Sequence, residues 1–232
     1  ICTQDLKDEE YVNSNYVIMA TKMGQVKKTS LEQYSRPRSN GINAITIKDD
    51  DELLEAKLTN GNSQIMLAVK SGKAIRFEES KTRPMGRNAS GVRGIRLKDN
   101  KDEVVGMISV NDMDANILVV SENGFGKRSS LEDYRLTNRG GKGVKTISIT
   151  EKTGKLVTLK SVSDNDDLMI INKSGIAIRM QVEDLRVMGR ATQGVKVISL
   201  KDGDSIAAVA RVMKDDDDLE EVNDIEFTGD TV

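Results

Sequence analysis

One loop of this sequence combines the residue types that a phosphate-binding site needs. It has the sequence LTNRGGKG, residues 136–143, and places Arg139 and Lys142 among three glycines. Glycine permits tight turns that expose backbone amides to an anion, and a neighbouring cation supplies the opposite charge. A single loop of this kind is equally well explained as a polar turn between two strands.

Three further loops are similar, so the feature belongs to a repeat. They are SRPRSNG (35–41), RPMGRNASG (83–91) and RVMGRATQG (186–194). Before its last glycine each loop carries at least two cations, which are Arg36, Arg38, Arg83, Arg87, Arg135, Arg139, Lys142, Arg186 and Arg190. Matched cations follow that glycine at Arg93, Lys145 and Lys196. Polar turns do not explain cations at matched positions in four loops, so the pattern favours a continuous basic track for duplex phosphates.

The elements that must position these loops recur about every 50 residues. Each repeat has an apolar run, a turn glycine and a second run, and the turn glycines are Gly24, Gly72, Gly124 and Gly175. The second run carries further cations that we also assign to DNA binding, namely Lys27, Lys28, Arg76, Lys127, Arg128 and Arg179. A third run (INAITI, VRGIRL, VKTISI or VKVISL) follows the loop, and a fourth closes the repeat. These runs are short and rich in Ile and Val, which favours strands over helices.

Four strands per repeat predict an all-β fold, an array of four-stranded, propeller-like blades. The repeats cover about residues 17–64, 65–116, 117–167 and 168–213, after an acidic lead-in (1–16) from a preceding blade. Because the chain begins with Ile1, we expect it to be a piece of a longer protein with further blades upstream.

Charge is divided unevenly along the chain. The net charge is −2, but residues 1–10 carry −3 and residues 214–232 carry −8, which leaves about +9 for the body. A basic body points to a polyanionic partner. The acidic segment 214–232 is expected to be a disordered tail that competes with DNA for the basic track.

Composition excludes several kinds of active site. There is no histidine and the one cysteine is Cys2, so Ser-His and Cys-His nucleophile pairs and zinc sites are excluded. Tyr34 and Tyr134 stand at matched positions where the other repeats have Thr82 and Leu185, which indicates packing and not a nucleophile. We therefore expect no catalytic and no metal site here. A single cysteine and no apolar run of about 18 residues favour a cytoplasmic protein without a membrane segment.

The strings MATKMGQVKKTSLEQY, LAVKSGKAIRFEESKTRPMGRNASGVRGIRL, NGFGKRSSLEDY and MGRATQGVKVISL resemble the C-terminal domain of the A subunit of bacterial DNA gyrase. The resemblance extends from about residue 16 to residue 213. It implies a β-pinwheel, a six-bladed ring whose neighbouring blades exchange strands, of which this chain holds the last four. It also implies that a basic rim binds duplex DNA and bends it into a wrap of positive handedness.

The resemblance further implies partners and cofactors outside this chain. The enzyme would be a type IIA topoisomerase of A2B2 composition that supercoils DNA negatively, with ATP and Mg²⁺ acting through other domains and DNA cleavage in the N-terminal part of the A subunit. The family's signature box, Gln-Arg-Arg-Gly-Gly-Lys-Gly, belongs to the first blade. Residues 139–143 copy most of it, and we interpret them as the corresponding loop of a later blade.

Three alternatives remain open at this stage. The A subunit of topoisomerase IV has a similar array and is the nearest within the family. A propeller that binds another protein would not depend on the repeated Arg and Lys. A propeller-type enzyme would need clustered carboxylates or histidine around a channel, and the chain has no histidine.

Overall fold

A computed structural model describes residues 6–213 as a succession of four antiparallel sheets. Given in spatial order, sheet 1 consists of β3 (Leu53–Thr59), β1 (Tyr16–Thr21), β2 (Gln25–Ser30) and β6 (Val92–Arg93). Sheet 2 consists of β7 (Val104–Val110), β4 (Gln64–Val69), β5 (Lys73–Glu78) and β10 (Val144–Lys145). Sheet 3 consists of β11 (Leu156–Val162), β8 (Asn116–Ser121), β9 (Phe125–Ser130) and β14 (Val195–Lys196), and sheet 4 of β15 (Ile206–Met213), β12 (Asp166–Asn172) and β13 (Ala177–Gln181). The predicted all-β blade array is confirmed, and the predicted acidic tail (214–232) lies outside the described residues.

Neighbouring repeats exchange strands. The short strand after each loop pairs with the second hairpin strand of the preceding repeat: β6 with β2, β10 with β5, and β14 with β9. This corrects two expectations. The third run of each repeat forms only two residues of strand, and residues 42–47 form none, since no described strand pairs with them. Sheet 4 has three strands among the described residues, because no strand of a further repeat pairs with β13 there.

The hairpin strands of sheets 2 and 3 are buried on both faces, because each of these inner sheets packs between two neighbours. In β4, Ile65 and Leu67 pack toward sheet 1, whereas Met66 and Ala68 pack toward sheet 3. The alternation of a β-strand thus serves two cores at once. This explains why the strands have continuous apolar runs in place of alternating polar and apolar residues.

The glycine that ends the second, third and fourth loops lies where the exchanged strand crosses the preceding sheet. Gly143 has φ +70°, and an added Cβ would lie 2.5 Å from the carbonyl oxygen of Ala74. Gly91 and Gly194 make the same approach to Val26 and Gly126, also at 2.5 Å. Gly41 has φ +79° with nothing within 4 Å of such a Cβ. Gly91, Gly143 and Gly194 therefore permit the close crossing on which strand exchange depends.

Gly143→Ala should lower the free energy of unfolding by about 3 kcal/mol, from left-handed backbone strain and the contact with Ala74 together. Gly41→Ala is the matched control and should cost only the strain of about 1–2 kcal/mol. Denaturant unfolding followed by circular dichroism measures both. Equal losses in the two variants would contradict the crossing as the reason for glycine.

Short helical elements of two kinds, one α-helix and three 3-10 helices, complete the described chain. Helix α1 (Glu9–Ser14) begins at Asp8, whose carboxylate accepts a hydrogen bond of 3.1 Å from the amide of Tyr11. Its Val12 packs with Leu31, which begins a 3-10 helix (Leu31–Tyr34) that recurs as Glu79–Lys81 and Leu131–Asp133. The strand-based prediction did not anticipate α1. Within residues 6–213 no helix has the length and apolar character needed to cross a membrane.

Candidate nucleic-acid interface

Strand exchange places the basic loops of successive repeats in contact with one another. The amide of Thr46 donates to the carbonyl of Ala89 (3.3 Å), that of Gly140 to Gly94 (2.5 Å), and that of Ser148 to Thr192 (3.0 Å). Each bond joins one repeat to the next. We call the resulting surface the loop row, defined by residues 35–46, 83–96, 135–148 and 186–199. The loop row is continuous from the first repeat to the fourth.

Nine of the predicted DNA-binding cations are exposed on the loop row. They are Arg36, Arg38, Arg83, Arg93, Arg135, Lys142, Lys145, Arg186 and Lys196. Within the described part of the chain, none of them forms an ion pair with a carboxylate. Their charge is therefore available to an external anion, and the field of several such groups adds along the row.

Two loop arginines hold neighbouring loops together. The Nε of Arg139 donates to the carbonyl of Lys81 (2.9 Å) and its Nη1 to that of Arg93 (3.1 Å). Arg190 repeats this one unit later, with Asp133 (2.9 Å) and Lys145 (2.8 Å). A guanidinium has five N–H donors, so two such bonds leave donors for a phosphate. Arg87 occupies the same position in the second repeat, where its Nη1 is 3.4 Å from the carbonyl of Asn43.

Three predicted DNA-binding lysines are buried, which corrects their assignment. The Nζ of Lys27 donates to the carbonyls of Ala44 (2.5 Å) and Arg87, and that of Lys127 donates to Gly189 (2.6 Å). Lys28 forms a buried ion pair with Glu79 at 2.9 Å and lies over the ring of Tyr16. All three ammonium groups are used inside the protein and are shielded from a phosphate.

Arg76 and Arg128 require the same correction. Arg76 donates from Nη1 to the carbonyls of Leu131 (2.9 Å) and Tyr134 (3.0 Å), and from Nε to Gln64 (2.7 Å). Arg128 donates to the carbonyl of Leu185 and to Asp164. Each arginine thus fixes the turn of the next repeat to its own sheet.

Arg179 holds the corresponding place in the fourth repeat and differs from the other two. Its side chain is 49% exposed, and its Nε lies 2.6 Å from the carboxylate of Asp167. The cation four residues after the hairpin glycine therefore has a structural role in each repeat that a following repeat covers. The sequence held a signal for this structural role, since Lys28, Arg76, Arg128 and Arg179 each lie within the second run of a hairpin and not in a loop.

Burial also lowers the pKa of two of the buried lysines, Lys27 and Lys127. It lowers the pKa of Lys127 from 10.5 to about 8, and it lowers the pKa of Lys27 to about 8 with a smaller contribution from Arg87. Between pH 8 and 10.5 the unfolded chain therefore binds more protons than the folded chain at these two sites. The linkage relation then makes stability rise with pH through that window.

Lys127→Met should reduce this rise, by at most about 1.4 kcal/mol per pH unit for the one proton removed. Unfolding free energies measured from pH 7.5 to 10.5 test this. Lys173→Met is the control, because Lys173 is exposed and should leave the slope unchanged. A Lys127→Met protein with the wild-type slope would contradict the assignment.

The two tyrosines pack as the sequence predicts. Tyr134 is 1% exposed, and its hydroxyl lies 2.5 Å from Oγ1 of Thr146. The hydroxyl of Tyr34 donates to the carbonyl of Ala44 at 3.1 Å. Burial raises the pKa of both phenols. Neither hydroxyl is presented to an external nucleic acid.

A family model described as "DNA gyrase C-terminal domain, beta-propeller" matches residues 15–60, 64–111, 115–163 and 166–213. The DNA gyrase A subunits of Staphylococcus epidermidis (strain ATCC 12228) and Staphylococcus aureus (strain NCTC 8325) are 44% identical over 218 and 234 residues. These alignments cover 94% and 100% of this chain but 24% and 26% of the relatives. The chain thus spans about a quarter of the length of the relatives that it matches.

Two solved structures are similar in fold. A C-terminal domain of DNA topoisomerase IV superposes with a TM-score of 0.82 at 25% identity, covering 90% of this chain and 67% of that one. A C-terminal domain of DNA gyrase A superposes with a TM-score of 0.77 at 26% identity, covering 87% and 67%. The backbone therefore resembles both enzymes, and the sequence similarity favours gyrase.

Proposed function

The chain belongs to the DNA gyrase C-terminal domain family, and from this membership we propose that it binds duplex DNA along the loop row and bends it. One observation carries the proposal: exposed, unpaired cations of all four repeats lie on loops that are hydrogen-bonded in succession. A duplex carries one charge per roughly 1.7 Å of its axis, so a row of cations can hold it by the backbone alone.

Backbone contacts fit this chain better than base recognition. Aromatic residues are 3% of the sequence, which is poor for stacking on unpaired bases. The one described α-helix has six residues and contributes Val12 to a hydrophobic cluster, so it supplies no recognition helix. The contacts would position the duplex and leave its sequence unread. Smooth bending of a 20–30 bp site by 40–90° costs on the order of 1–6 kcal/mol, which several phosphate contacts spread over four loops can offset.

The remaining proposals concern the whole enzyme. As part of a gyrase A subunit, the domain would present a positively wrapped segment for strand passage in an A2B2 assembly in the cytoplasm. ATP and Mg²⁺ would act through the other domains and the B subunit. This chain would contribute binding and curvature, and the chemistry would take place elsewhere.

Topoisomerase IV is the second candidate, because a domain of that enzyme superposes with the TM-score of 0.82. The two are distinguished by wrapping. A nicked plasmid ligated in the presence of this domain should gain positive linking difference if the domain wraps as the resemblance to gyrase implies. An unchanged linking number despite tight binding would contradict the wrap that the resemblance to gyrase implies.

A salt titration of binding to a 40 bp duplex tests the proposed function directly. The logarithm of affinity should fall linearly with the logarithm of salt concentration, at about 0.9 per phosphate neutralised. A slope of several units establishes a multi-contact backbone surface. A flat response would mean that the loop row is only a solvated surface, and a protein-binding role would replace this proposal.

A further inference from the structure

A cavity of about 530 Å³ lies at the junction of the second and third repeats, beside the hairpin turn between β4 and β5. Ile147 and Ile149 contribute apolar surface to it. Six lysines line it, which are Lys70, Lys73, Lys98, Lys101, Lys145 and Lys155. Only Lys145 was assigned to DNA binding from the sequence, because the other five lie outside the repeated loops, four of them in the second repeat and Lys155 in the third. We call this group the lysine pocket.

The repeat itself does not require these lysines. At the junction of the first and second repeats, the corresponding positions include three cations, Lys22, Lys48 and Arg93, together with Glu103. At the junction of the third and fourth repeats, the corresponding positions hold one cation, Lys196, with Glu122 in place of Lys70, and the neighbouring Lys152 lies over the ring of Phe125. The same backbone arrangement is thus built with far fewer cations at either side. The concentration at the middle junction therefore needs a reason other than folding.

Six lysines outnumber the two carboxylates that line the pocket, Asp99 and Asp102, and both aspartates are bound to the backbone of the turn. The carboxylate of Asp102 accepts from the amide of Ser71 (2.9 Å), the hydroxyl of Ser71 (2.8 Å) and the amide of Lys98 (3.0 Å). Asp99 accepts from the amide of Lys101 at 2.9 Å. Both aspartates therefore shape the turn. Within the described residues, Lys70 is the pocket lysine with an ion-pair partner, Glu103 at 2.6 Å.

The lysine pocket is continuous with the loop row. Lys73 and Lys98 also line a cavity of about 190 Å³ that includes Lys142 and Arg96. Lys142 in turn lines a cavity of about 180 Å³ with Arg135. The amide of Arg96 donates to the carbonyl of Gly141 at 2.8 Å, which joins the two regions through the backbone. Cations thus continue from the third loop to the hairpin turn of the second repeat.

We propose that the lysine pocket is a phosphate-binding site of the domain, and that it holds consecutive backbone phosphates of duplex DNA that leaves the loop row at this junction. The inference rests on the proposed function. Lysines on flexible stems suit a series of phosphates better than one planar group, because each ammonium is a movable point charge. Clustered like charges repel one another, and a polyanion that displaces small counterions relieves this repulsion.

The test compares two variants that each lose three exposed lysines. The pocket variant is Lys98→Gln, Lys101→Gln and Lys155→Gln, and the control is Lys48→Gln, Lys173→Gln and Lys201→Gln in the first and fourth repeats. In the titration with the 40 bp duplex, the pocket variant should lose about 2 from the salt slope and about a hundredfold in affinity at 0.1 M salt. The control should lose less than about 0.5 from the slope.

The outcomes separate this proposal from the one on which it rests. Wild-type protein without salt-dependent binding refutes the proposed function. Steep wild-type binding, with a pocket variant that matches either the wild type or the control, overturns the pocket alone. Inorganic tripolyphosphate tests whether the pocket binds a free oligophosphate in place of the phosphates of duplex DNA. If it raises the unfolding midpoint of the wild type but not of the pocket variant, while the two bind DNA equally, the pocket serves a free oligophosphate and the assignment to DNA is wrong.

Discussion

Replacing Arg83, Arg135 and Arg186 together with glutamine should lower duplex affinity at 0.1 M salt by about several hundredfold and reduce the salt slope by about 2.7. These arginines begin three successive loops at the same repeat position, and all are exposed. Each is expected to neutralise one phosphate, so each should account for about 0.9 of the slope. Binding measured from 50 to 300 mM salt gives both quantities.

The distribution of the loss matters as much as its size. Each single substitution should cost about a third of the slope lost by the triple variant, because contacts along a row act nearly independently. One arginine that carries most of the loss would indicate a localised site and contradict the loop row. The triple variant Lys48→Gln, Lys173→Gln and Lys201→Gln removes the same charge outside the proposed surface. Its slope should stay within about 0.5 of the wild type.

Arg76→Met should lower the free energy of unfolding by about 3 kcal/mol or more, although it removes a cation that the sequence assigns to DNA. The substitution leaves the buried carbonyls of Leu131 and Tyr134 without their donor, and each such loss costs about 1–3 kcal/mol. For a chain of this size the unfolding midpoint should fall by about 6–12 °C. Scanning calorimetry measures the shift.

Arg83→Met is the reciprocal control for Arg76→Met. Arg83 is exposed on the loop row, so its loss should move the midpoint by no more than about 2 °C and reduce the salt slope by about 0.9. Arg76→Met, assayed at a temperature where it remains folded, should keep the wild-type slope. A reduced slope in folded Arg76→Met protein would show that Arg76 contacts DNA. An unchanged midpoint would show that its bonds to the next repeat contribute little.

The hairpins were predictable from the sequence because the information for them is local. The four hairpin glycines have φ between 78° and 87°, a conformation that glycine adopts without the penalty of a side chain. The strands around them are short, Ile- and Val-rich runs bounded by turn residues. The loop cations follow from the same regularity. Six of them, which precede the last glycine of their loop, are exposed in the structure as expected from their position between strands.

The partner of the strand after each loop was not predictable in the same way. Val144 and Lys145 pair with Ala74 and Lys73 of the preceding repeat, but their alternation would suit a place in their own sheet equally well. A strand's own residues specify which side is apolar and do not specify which neighbour it pairs with. Gly143 carried the missing information, since its close approach to Ala74 exists only in the exchanged arrangement.

The sequence by itself determined the repeat, the hairpins, the all-β class and the positions of the cations along the chain. Only the tertiary structure decided which cations face solvent. Arg76 and Arg135 are both arginines at recurring positions, but Arg76 is 8% exposed and lies against carbonyls that come 55 and 58 residues later in the chain. The physical reason is that burial of a charged group depends on acceptors that pack against it, and these acceptors come from the next repeat. The lysine pocket arises likewise, because the exchanged strand brings Lys145 opposite Lys73 of the preceding repeat.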